Sequence, residues 1–268
     1  MKARPWLTSK EVALLISSTT LYAFFSFVPA FPIFGLQGGA ITLAAMMAPV
    51  FGMLLGPCLG LATALLGGLV GLFLAPVFFP PSFVSGMAAA VFAGFLYLGR
   101  RDLCVSLYLS LLFLLGFYPF VGPIWIFPLF MWFQVVGLVI LASPLSLKTS
   151  SWIERSNDYK KLLLAFFTMY LTATLAGQMA GSLTLEFLSW PILMEDIAGW
   201  TTIWQVVTWI YPVERILIAL SATPIGIALY KTLKSSDLIV MTDHKERRGK
   251  MSDLKEAFKV HANGEKNS

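Results

Sequence analysis

Apolar residues run along this chain in long blocks, separated by short joints rich in glycine, proline or charge. The blocks lie near 10–29, 40–56, 57–75, 82–98, 103–119, 122–142, 160–184 and 206–233. Several reach or exceed the ~18 uncharged residues that span a bilayer. Lipid offers backbone groups no hydrogen bonds, so a spanning segment is a helix or a strand of a closed barrel. These blocks are too long and too continuously apolar for barrel strands. The pattern predicts an all-α, polytopic helical bundle over residues 1–234, with a polar tail over 235–268. The ambiguous stretch is 103–142, where "FYPFVGP" (Phe117–Pro123) divides either two spans or one span with a re-entrant piece.

Composition agrees. Hydrophobic residues make up 57% of the 268, charged residues 12%, and mean hydropathy is +0.78. A soluble domain would carry about 25% charged residues. Lys2, Arg4, Pro5 and Lys10 form a short basic leader. No small-residue cleavage site follows a short apolar core, so the first helix is expected to be retained.

Charge placement settles the count of spans and their orientation. With the N-terminus in the cytoplasm, alternate joints collect all but one of the 19 lysines and arginines. The outer joints, near 30–39, 76–81, 117–123 and 185–205, hold no basic residue, but do hold Glu186, Glu195 and Asp196. Lysine and arginine bias fixes orientation. Both Arg100–Arg101 and the 143–161 joint are basic, so an even number of crossings lies between them. The expectation is therefore eight spans in the cell membrane with both termini inside. Arg215 is the one exception to the bias.

Small residues recur at four-residue spacing: Gly52, Gly56, Gly60, Ala64 and Gly68; Gly86, Ala90 and Gly94; Ala173, Gly177 and Gly181. Such ladders let membrane helices approach closely, within the chain or, alternatively, against another subunit. Gly56–Pro57 predicts a tight inner turn. The tail carries seven basic and six acidic residues after Lys234. In it "SDLKEAFKV" has the spacing of one short amphipathic helix, and "HKERRGK" could touch anionic lipid, but a solvated tail is the favoured account.

Glu214 and Arg215 stand at the head of the last apolar block, in "TWIYPVERILIAL" (Thr208–Leu220). If a helix starts at Pro212, Glu214 complements the helix dipole and Arg215 snorkels to the outer interface. The apolar run, however, begins upstream at Ile203, and ionisable residues inside spans usually face a cavity on a ligand or ion path. Gln205, Trp209 and Tyr211 lie close by, Gln178 sits on the glycine-laddered seventh block, and Gln37 lies in the glycine-rich first outer joint "FPIFGLQGGAI". Trp190, Trp200, Trp204, Trp209 and Tyr211 also suit an interfacial aromatic belt. Gln178 could simply bond a neighbouring helix. Taken together, Glu214, Arg215, Gln205, Trp209, Tyr211, Gln178 and Gln37 are the candidate substrate-binding residues, around an apolar pocket with few polar contacts.

Catalysis is harder to assemble. His244 and His261 are in the tail, and the blocks hold no paired carboxylates and no Cys–His pair. Cys58 and Cys104 are too few for a disulfide framework and lack metal-ligand spacing. No phosphate-binding glycine loop is present, so an ATP-driven step would come from partners. The residues imply no catalytic activity, no cofactor and no nucleic-acid partner.

"GAITLAAMMAPVFGMLLGPCLGLATALLGGLVG" followed by "PSFVSGMAAAVFAGFLYLGRR" resembles the substrate-binding membrane subunits (S components) of energy-coupling factor (ECF) transporters. "YPVERILIALSATPIGIALYKTLK" is similar to the last helix of uncharacterised members. The resemblance covers roughly 10–100 and 204–234 and rests on patterns of small residues. It implies a helical bundle that captures a vitamin or related small micronutrient from outside, working with a transmembrane coupling subunit and cytoplasmic ATPase subunits. Two features depart from the family. The Ala-xxx-Ala docking motif of its first helix is reduced to Thr19 and Ala23 within "TTLYA", and the family core has six helices, leaving 103–142 as an extra hairpin. An ion-coupled secondary transporter is the alternative, although it would want more buried acids than Glu214 supplies. A membrane enzyme ranks third.

Overall fold

The computed structural model describes residues 8–33, 38–156, 158–192, 195–236 and 238. It is a helical bundle, all-α apart from one small hairpin. Four helices are long and apolar enough to cross a membrane: α3 (Pro57–Leu74), α4 (Pro80–Tyr97), α9 (Tyr159–Ser189) and α10 (Ile197–Ser235). A broken pair, Pro128–Ala142 and Pro144–Arg155, bends by 62° and would make a fifth. The remaining expected spans are helical but shorter or less apolar: α1 (Ser9–Ser26), α2 (Ala44–Leu55) and α5 (Arg101–Gly116). At 1.5 Å per residue the 12 residues of α2 reach only ~18 Å, well short of a ~30 Å hydrocarbon core.

Four local expectations change. The all-α expectation meets one exception at the first outer joint: Pro29–Pro32 (β1) and Ala40–Thr42 (β2) pair as a two-stranded antiparallel sheet with a register break between Pro29 and Phe31. The second arm of the 103–142 hairpin is broken. Short α6 (Pro123–Ile126) and a 3₁₀ turn (Pro128–Met131) precede α7 (Trp132–Ala142), because Pro123 and Pro128 each fit only an opening turn. The 143–161 joint contains a helix, α8 (Pro144–Arg155), which buries Thr149 and Ile153 and carries Lys148 and Arg155. Finally, the 185–205 joint shrinks: α9 continues to Ser189, and α10 starts at Ile197, where the Asp196 carboxylate accepts from the amides of Ala198 and Gly199. The polar tail and its short amphipathic segment lie outside the described residues.

Close backbone contact holds the centre together. α2 ends at Leu55, Gly56 turns the chain with φ +90°, and Pro57 opens α3, as the Gly–Pro step predicts. A Cβ on Gly52 would sit 1.9 Å from the carbonyl oxygen of Ala90, and one on Gly177 would sit 2.6 Å from that of Ser85. The small-residue ladders are therefore internal seams that join α2 to α4 and α4 to α9, the most extensive helix pairing in the bundle. Large apolar side chains such as Phe24, Phe73, Phe113 and Val139 are exposed, a pattern that fits contact with lipid.

The two ends differ in charge. One carries the β-hairpin and the joints after α3, α5 and α9; Ala40 N–H donates to Val77 O and Trp204 Nε1 to Val121 O there. The other carries Gly56, the α4–α5 joint and α8. There Arg101 Nε donates to Leu141 O at the C-terminus of α7, Ser150 Oγ to Tyr97 O and Lys234 Nζ to Glu154 O. Among the described residues, every lysine and arginine except Arg215 belongs to this second end.

Candidate functional site

Glu214 and Arg215 lie near the middle of the 39-residue α10, not at its head. Pro212 is an interior proline. Its missing N–H leaves the Thr208 carbonyl free, and the Trp132 indole donates to that oxygen at 3.3 Å from α7. The capping explanation for Glu214 therefore fails, because the helix begins fifteen residues before Pro212. Nor does Arg215 reach for an interface. Glu214 and Arg215 are 2% and 3% exposed.

Within the bundle the two side chains meet only loosely. Arg215 Nη2 lies 3.5 Å from Glu214 Oε2, the outer limit for a hydrogen bond. Arg215 Nε and Glu214 Oε1 have no hydrogen-bond partner. One helical turn earlier, Tyr211 places its ring 5.5 Å beneath the guanidinium carbon, as the i, i+4 spacing permits.

Arg215 and Tyr211 line a cavity in the half of the bundle that carries the hairpin, with about 510 Å³ of empty space, its open mouth included. Across from them, α9 presents Gln178 and Ser182, again four residues apart on one face. Gly181 lets α9 close on α4, since a Cβ there would lie 2.8 Å from Pro81 O. The head of α4 contributes the hydroxyls of Ser82 and Ser85, and β2 contributes Thr42, whose Oγ1 is buried without a partner. Ile33, Ile41 and Phe78 make the wall apolar toward the hairpin.

Three of the seven candidate residues, Arg215, Tyr211 and Gln178, thus converge on one cavity, with Glu214 directly behind Arg215. Gln178 also bonds a neighbouring helix: its Oε1 accepts from Gln134 Nε2 of α7 at 3.0 Å, and its Nε2 donates to Ser182 Oγ at 3.0 Å. Gln205 and Trp209 are not brought in. Both are exposed on the outer surface of α10, where Trp209 packs against Trp132 with ring centroids 6.2 Å apart. Gln37 lies outside the described residues, although flanking Ile33 and Ile41 line the cavity. Trp200 and Trp204 are not belt residues either. Each is at most 1% exposed, and Trp204 packs against Phe130 with ring centroids 4.7 Å apart.

Sequence reasoning missed the hydroxyl wall and Glu186. Ser182 carries a readable signal, four residues beyond Gln178 on the same helix. Glu186, expected in an outer joint, continues that face in the last turns of α9, is 0% exposed, and has neither carboxylate oxygen hydrogen-bonded. Tyr118, in the joint after α5, senses it: burial first, and then the Glu186 carboxylate, raise the phenol above its ordinary range. Compared with protein-family models, curated proteins and solved structures, the chain matches none.

Proposed function

We propose that the protein is the substrate-binding and translocating membrane subunit of an ECF-type transporter, taking up a vitamin or related small micronutrient. The observation that carries this reading is the cavity itself. It lies in the half of the bundle away from the lysine- and arginine-bearing end, and it holds a buried arginine with an unpartnered Nε. With the basic end toward the cytoplasm, the cavity faces outward, where a capture protein needs it. Its mixture of apolar wall and few polar groups suits a small organic ligand. The chain carries no nucleotide-binding loop, so the energy for release would come from a coupling subunit and ATPases docked at the inner end.

A second reading has one specific observation in its favour. Glu186 adds a second buried acid to Glu214, and buried acids are what an ion-coupled secondary transporter uses. Affinity purification from native membranes, followed by reconstitution into liposomes, separates the two. The S-component reading expects ATPase and coupling subunits to co-purify and uptake to require them. Uptake by the lone protein, driven by a proton or sodium gradient, would select the second.

A further inference from the structure

We propose that the cavity takes a small organic acid, an apolar body bearing one carboxylate that docks on Arg215. This rests on the preceding reading only in treating the cavity as a ligand site, not in the identity of the transport partners.

The polar lining is rich in donors. Arg215 offers five N–H groups in a plane, and the 3.5 Å contact with Glu214 engages one of them. Its Nε–H has no partner, although the residue is 3% exposed. A buried donor left unmade is costly, so the free protein lacks an acceptor that a ligand can supply. Around it stand the hydroxyls of Tyr211, Ser182, Ser85 and Thr42. Thr42 Oγ1 is a second buried and unpartnered group on the same lining, 2% exposed as a residue. No aspartate or glutamate lines the cavity among the described residues; Glu214 approaches Arg215 without joining the lining. A cationic ligand would therefore meet the guanidinium but no carboxylate on the lining, since Glu214 lies behind Arg215, and a purely apolar ligand would leave Nε–H unsatisfied. A planar carboxylate answers both conditions, since charge-assisted bonds from a guanidinium to two oxygens are the strong ones. Ile33, Ile41 and Phe78 take the rest of the molecule, so the acid group enters first and the apolar part faces the hairpin.

The test uses the full chain in mild detergent and three probe acids: benzoate, 3-phenylpropanoate and 5-phenylpentanoate. Each is compared with its primary amide and its primary amine by thermal shift and by titration. The acids are expected to stabilise the wild type at concentrations where amides and amines do not. Arg215→Lys keeps a positive charge beside Glu214, so it guards against loss of fold, but it removes the planar donor set. Acid affinity should fall at least about ten-fold in this variant, and Tyr211→Phe should weaken it less. Equal binding of acid and amide, preference for the amine, or no binding by any probe overturns the assignment. Failure of the acids while ATPase subunits still co-purify removes only the ligand class. Acid binding without such partners leaves the ligand class standing and removes the ECF-type assignment.

Discussion

Gln134 of α7 donates from Nε2 to Gln178 Oε1 of α9 across 3.0 Å, and both side chains are buried. The bond joins the 103–142 hairpin to the central helix that forms one wall of the cavity. Because Gln178 also donates to Ser182, the hairpin helps hold two lining residues in place. A double-mutant cycle of Gln134→Leu and Gln178→Leu should give a coupling of about 0.6 kcal/mol, and at most ~1.7, in thermal or denaturant unfolding in detergent. Strict additivity would mean that the hairpin and α9 are not linked through this pair.

Backbone seams should tolerate less. Gly52→Ala places a methyl 1.9 Å from a carbonyl oxygen that cannot move alone, because Ala90 is internal to α4. Overpacking of this kind costs ~1–3 kcal/mol or more. The melting temperature should drop clearly. An unchanged melting temperature would show that α2 and α4 are not in backbone contact.

Glu186 offers the opposite sign. Replacing a buried carboxylate that makes no hydrogen bond by an apolar side chain of similar volume removes an unmet polar group, worth ~1–3 kcal/mol. Glu186→Leu should therefore raise thermal stability. Under the proposed function, a fall in uptake by the same variant would mean that the acid is retained for function at the expense of stability. A lower melting temperature would instead reveal a structural partner for the carboxylate.

Orientation can be read by cysteine accessibility. Gly122 is a poor probe site, since a Cβ there would lie 2.6 Å from both Gly116 O and Tyr118 N, whereas Phe120 two residues earlier is 69% exposed. In a Cys58→Ser, Cys104→Ser background, Phe120→Cys should label from outside the cell and Leu147→Cys, on α8, only after the inner face is opened. The reverse pattern would turn the bundle over and put the cavity on the cytoplasmic side.

The helices were legible because apolar blocks and Gly–Pro breaks act locally. Gly56–Pro57 ends one helix and starts the next by steric rules that a sequence displays. What could not be read were features set by contact with other helices. Pro212 has the appearance of a helix start, yet the Asp196 cap and the Trp132 indole keep α10 continuous through it. The same continuity buries Glu214 and Arg215 and turns Gln205 and Trp209 outward, because residues along one helix face different directions in fixed alternation. Glu186 falls in an outer joint only when the seventh apolar block is ended at 184, although Leu185, Phe187 and Leu188 carry the apolar run past it. Of the cavity, the arginine and Gln178 were visible as polar residues in apolar blocks, whereas Thr42, Ser82 and Ser85 had no signal that distinguishes them from ordinary hydroxyls.

Native mass spectrometry of the gently purified protein tests most directly whether Arg215 anchors a ligand in the cavity. The wild type should carry a retained small molecule. Gln205→Ala, which alters only the outer surface of α10, should carry it equally, and Arg215→Met should lose it while remaining folded by circular dichroism. A folded wild type that carries no small molecule, or an Arg215→Met variant that retains the same mass at the same occupancy, would contradict the account of Arg215 as a ligand anchor in this cavity.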